Sequence, residues 1–123
     1  MSKVREFLRS RGYPEHVVEG GFSGLLDGWE ATVKAVEKRR ETTLDEYLND
    51  LDQRDIIDQV LIGVPDSISD SHIEHLNAVD VRFLELVQRS DSCLWGDDNA
   101  KQNGWTPDHQ WWYFHSRPKF VED

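Results

Sequence analysis

Cysteine is the first scarcity. The chain of 123 residues holds one, Cys93, which excludes an intramolecular disulfide, a CxxC redox pair and a cysteine-rich zinc site. Long apolar runs are missing too: stretches such as Trp111 to Phe114 fall far short of the roughly 20 residues a transmembrane helix needs. The N-terminus mixes Lys3, Arg5 and Glu6 with no apolar segment behind them, which is not a secretory leader, so cytoplasm is the expected compartment. Positive charge is also short. Fourteen Lys and Arg face twenty-four Asp and Glu, and the formal charge of −10 repels phosphate backbones and argues against nucleic-acid binding. Acidity of this kind favours solubility and a basic partner.

Catalytic and cofactor signatures are equally sparse. There is no P-loop and no GxGxxG, and nothing else in the chain implies a cofactor. Gly21-Phe22-Ser23-Gly24-Leu25 approaches a nucleophile elbow, but its second glycine comes one place early and no strand is predicted before it. The stretch from Asn99 to Gln110 places Gly104 where a calcium loop needs glycine, yet puts Lys101 at a ligand position. His72 and His75 have the helical spacing of a metal pair; a zinc site would need a third ligand such as His109 or His115, and ordinary helix and loop histidines are the simpler reading.

What the chain does have is hydrophobic periodicity. With 37% apolar and 31% charged residues it has enough of the first to fold, and its length is that of one domain: a helical core over 1–90 and a Trp-rich tail over 91–123 packed on it. The predicted class is all-α, a compact bundle of about five helices with an aromatic-rich irregular C-terminal tail folded over it.

Val4, Phe7 and Leu8 mark a first helix stopped at Gly12, and Pro14 opens the second. Val18, Phe22, Leu25, Trp29, Val33 and Val36 then form an unbroken stripe, the strongest helix signal in the sequence. Gly20, Gly24, Gly28, Ala31 and Ala35 gather on another face of the same helix. Each interior glycine costs roughly 1 kcal/mol against alanine, so an offset is expected. A neighbouring helix approaching closely would supply it; a groove, a homodimer seam through Gly20, Gly24 and Gly28, or a kink at Gly20 and Gly21 are the other readings.

Thr43-Leu44-Asp45-Glu46 has capping-box spacing and starts a third helix. The apolar phase of Leu44, Leu48 and Leu51 reverses at Ile56, Ile57, Val60 and Leu61, which predicts a break near Asp52 with Asp52 and Asp55 capping a new helix, closed by Gly63 and Pro65. Asp45, Asp50, Asp52, Asp55 and Asp58 form an acidic segment with the residue types for metal or general acid and base chemistry, but capping and surface pairing of Arg54 with Asp50 and Asp58 is the simpler reading. A long helix follows, capped somewhere between Asp66 and Asp70 and running to about Arg89. His72 and Asp80 fall on its apolar arc, and Gly96 to Gly104 reads as loop.

The tail holds Trp95, Trp105, Trp111, Trp112, Tyr113 and Phe114, too aromatic a set for disorder, with Trp111 to Phe114 forming either a strand-like stretch or a short helix. It is either a lid that completes the core or a recognition surface. The candidate binding set is Asp80, Trp105, Trp111, Trp112, Tyr113, His115 and Arg117, with Asp80 expected to accept a hydrogen bond from the tail and pin it to the bundle. By elimination the expected function is that of a non-enzymatic acidic accessory or interaction protein of bacterial type; one specific form of it, resting on charge alone, is a neutraliser of a basic toxin or nuclease. The alternative is a small-ligand site or small enzyme with its pocket between the long helices and the tail.

Overall fold

Hydroxyl caps set the starts of three helices. Ser2 Oγ accepts from Arg5 N at 3.3 Å to open α1, Lys3–Ser10. Thr43 Oγ1 accepts from Glu46 N at 3.3 Å to open α3, Leu44–Gly63, and Ser69 Oγ accepts from His72 N at 3.2 Å to open α4, Asp70–Leu86. Each satisfies a backbone donor that the first helical turn leaves free. Between α1 and α3 lies α2, Glu15–Glu37, entered through Pro14, and α5 spans Asp97–Asn103. This computed structural model describes residues 2–122, so Met1 and Asp123, the expected ends of the single domain, lie outside the described residues.

The all-α architecture is as the periodicity predicts. The α2 stripe from Val18 to Val36 is buried throughout and packs against α1, α3 and α4. The one sheet among the described residues is a parallel pair, β1 Thr42–Thr43 with β2 Val121–Glu122, in which Thr42 sits opposite Val121 and ties the C-terminus to the start of α3. Strands of two residues carry no alternation that a sequence could show. Among the described residues, no helix is long and apolar enough to cross a membrane.

Three expectations need correction. The break near Asp52 does not form: α3 is continuous from Leu44 to Gly63. From Leu51 to Leu61 none of its residues is fully exposed, because α1, α2 and the tail cover different sides of it. A helix buried all round has no single apolar phase, and the reversal of phase marks a change of neighbour, not of direction. The small face of α2 is only partly a packing face. A side chain at Gly28 would collide with Gln53 of α3, whereas Gly20 and Gly24 are exposed with nothing within 4 Å. The kink is real and sits at Gly21, at φ 60° and ψ −157°, a conformation open essentially to glycine alone. Finally, the loop predicted after Ser90 contains α5, framed by Gly96 and Gly104 at positive φ.

The tail closes the core. Trp111–Tyr113 forms a 3-10 turn, the short-helix alternative, and Trp112, Tyr113, Phe114, His115 and Val121 are buried. Backbone bonds hold it to the segment that follows α4, Ser90 N donating to Phe114 O at 3.0 Å and Leu94 N to Tyr113 O at 2.8 Å.

Candidate functional site

Asp80 is nearly buried, as its wheel position implies, but its donors are not in the tail. Arg54 of α3 grips it with Nε to Oδ1 and Nη2 to Oδ2, both at 3.0 Å, and Trp29 Nε1 of α2 donates to Oδ1 at 2.9 Å. The expected direct pin to the tail is therefore replaced by a relay. The Arg54 guanidinium lies 5.2 Å from the Trp111 ring and 4.7 Å from that of Trp112, so the tail rests on the cation that Asp80 holds. Nor does Arg54 pair at the surface with Asp50 or Asp58; it is itself buried, and Asp58 instead accepts from His109 Nε2 at 2.9 Å.

The other predicted site residues divide. Trp112 and His115 belong to the core. His115 Nε2 and Tyr47 Oη lie 2.7 Å apart, and burial lowers the His115 pKa to about 4 and pushes the Tyr47 hydroxyl up, so both are neutral in neutral solution. Arg117 is exposed on a separate groove beside Arg39 and Lys119. Asp80, Trp112 and His115 thus lie in or against the core, while Arg117 stands apart from them. The histidines are dispersed: His72 lies 3.4 Å from Ser23 Oγ, His75 pairs with Glu30 at 2.9 Å, and among the described residues no three His, Cys, Asp or Glu side chains could share a metal.

Trp105 and Tyr113 do share a site, with partners the sequence assigned to other roles. They form one side of an open cleft of about 390 Å³ whose remaining aromatic walls are Tyr13 and Trp95. The Trp105 and Tyr113 rings lie 4.6 Å apart at 34°. Asp52 and Asp55 also line the cleft, three residues apart on α3 and thus on one face of it, and Asn99 and Asn103 face them from α5. Gly104, at φ 70°, makes the left-handed turn that ends α5 immediately before Trp105.

The hydrogen bonds hold these groups in place. Asp52 Oδ1 accepts from Tyr113 Oη at 2.5 Å and from Trp95 Nε1 at 3.2 Å. Gln59 links the two sides, donating to Asp55 Oδ2 at 2.9 Å and accepting from Tyr13 Oη at 2.8 Å. Asn99 Nδ2 donates to Trp95 O at 2.7 Å, and Asn103 Nδ2 to Asn99 O at 2.8 Å. Burial pushes the Asp52 carboxyl up, against the pull of the Tyr113 and Trp95 donors. Burial likewise raises Asp55, against Gln59 and with the nearby charges of Asp58 and Asp52 adding to it. Both carboxylates are thus poorly solvated charges in an aromatic setting. The spacing of Asp52 and Asp55 was visible in the sequence, but a cap for a helix break accounted for it as well.

Comparison of the chain with protein-family models, with curated proteins and with solved structures finds no match.

Proposed function

We propose that this chain is a non-enzymatic protein-interaction domain that engages a basic partner through the cleft between α3, α5 and the tail. The observation that carries the reading is the placing of Asp52 and Asp55 among Tyr13, Trp95, Trp105 and Tyr113. Aromatic faces attract cations, and carboxylates shielded from water attract them more strongly than solvated ones. The surrounding charge of −10 would speed the encounter with a positively charged protein and disfavour nucleic acid as a competitor. A basic nuclease or toxin held in check is the kind of partner this suits.

Affinity capture from host extract with the wild-type chain and with an Asp52→Asn, Asp55→Asn double variant tests the reading. Asparagine keeps the acceptor that Tyr113 and Trp95 use while removing the charge. A basic protein retained by the wild type at low salt, and lost both in the variant and at high salt, is the expected result. Equal retention by the two chains would refute it.

A further inference from the structure

Resting on that reading, we infer that the group the cleft receives is an arginine side chain of the partner, its guanidinium placed between the aromatic walls and the two carboxylates. The hydrogen-bond inventory points there first. Around the cleft Tyr113, Trp95, Gln59 and Tyr13 have each spent a donor on a cleft neighbour, the first two on Asp52 Oδ1 and Gln59 on Asp55 Oδ2. Among the described residues, Asp52 Oδ2 and Asp55 Oδ1 take no hydrogen bond, nor do the side-chain oxygens of Asn99 and Asn103. The strongest unspent capacity is therefore two charged acceptors, with two neutral ones opposite. A guest that answers it brings several donors, a positive charge held at neutral pH and no acceptor, which among side chains leaves arginine and lysine.

Shape and hydration separate these two. Residues three apart on a helix have Cβ atoms roughly 5–6 Å apart, so Asp52 and Asp55 present acceptors side by side. The guanidinium is a flat fork whose donors can serve both at once, and its face stacks on indole and phenol rings. The lysine ammonium is a compact, strongly hydrated point charge that gains little from flat walls and loses more water on entry. The structure already contains one such arrangement in its core, where Arg54 forks onto Asp80 beneath Trp111 and Trp112. Asp52, Trp95 and Trp105 present the same elements, carboxylate and indole, with the space for the cation open to solvent.

Four glycine pentapeptides, acetylated and amidated, carrying at the centre arginine, lysine, trimethyl-lysine or citrulline, test the assignment by titration of the full-length chain, read by tryptophan fluorescence. The arginine peptide is expected to bind about 10-fold tighter than either lysine form, in keeping with paired, charge-assisted hydrogen bonds. Citrulline, similar in shape but neutral, should show no saturable binding. Trp105→Ala, checked for an unchanged thermal melt, should weaken the arginine peptide by about the same factor through loss of one stacking face. Lysine or trimethyl-lysine binding as tightly as arginine would overturn the inference, as would the absence of saturable binding by any of the four. In either case the wider reading stands or falls separately, on whether the Asp52→Asn, Asp55→Asn variant still retains the captured protein.

Discussion

Arg54 and Asp80 meet where α2, α3, α4 and the tail converge, and the energetics of such a pair are lopsided. Its two members are 7% and 13% exposed, so neither charge can be left to water if the other is removed. Asp80→Leu should cost about 3–5 kcal/mol, because it strands a guanidinium whose Nη1 already has no partner. The double variant Asp80→Leu, Arg54→Met should recover most of that loss, and urea denaturation of the three chains decides it. A second residue-scale expectation concerns His115. Its folded pKa of about 4 lies below the ordinary histidine value, so the unfolded chain binds the proton more readily. The stability contributed by neutral His115 is full above the unfolded pKa near 6.5 and is lost as pH falls towards 4, by about 3 kcal/mol in all. Asp52 and Asp55 act in the opposite sense. Their raised pKa values mean that the folded chain binds their protons more tightly, so their contribution is present at acid pH and lost as pH rises. Denaturation of the wild type and of His115→Phe between pH 7 and 4 separates the two: the wild type should lose more stability over that interval. By the same ionisation, the proposed cation binding at the cleft should strengthen as pH rises.

At the scale of the element, the glycines of α2 have three distinct roles. Gly24 is exposed with no neighbour to meet a side chain, so Gly24→Ala should stabilise by about 0.5–1 kcal/mol through helix propensity. Gly28→Leu should destabilise by about 1–3 kcal/mol by forcing Gln53 aside, and Gly21→Ala by a similar amount because its backbone lies where a Cβ is strained. Equal effects at Gly21 and Gly24 in urea titrations would show that the kink is not held as described. These elements also mark what the sequence could and could not convey. The α2 stripe and the caps at Thr43 and in the Asp66 to Asp70 region are local signals, and local signals survive folding. The unbroken α3 was illegible because its phase reversal reflects neighbours drawn from distant parts of the chain. Asp80 was placed correctly as a nearly buried residue from its own helix, but Trp29 and Arg54 reach it from α2 and α3, a pairing no wheel of α4 contains. The cleft failed to show for the same reason: Trp105 and Tyr113 stood out by composition, but Tyr13, Asp52 and Trp95 join them only through tertiary packing.

For the molecule as a whole, the tail both completes the core and walls the cleft, divided by residue. Trp112, Tyr113, Phe114 and His115 are core, while the half-buried Trp105 borders the cleft, so the proposed binding would draw on the same segment that holds the fold together. Deleting residues 105–123 should expose the cores of α3 and α4 and abolish cooperative unfolding, with strong binding of a hydrophobic dye. The proposed entry of a cation between α3, α5 and the tail can be followed on the five tryptophans. In a proton–nitrogen correlation spectrum of the labelled chain titrated with the arginine peptide, the indole signals of Trp95 and Trp105 should move, together with the side-chain amides of Asn99 and Asn103. Those of Trp29 and Trp112, buried in the core, should stay in place. Movement confined to the Arg39, Arg117 and Lys119 groove or to the exposed glycine face of α2, with Trp95 and Trp105 unmoved, would contradict it.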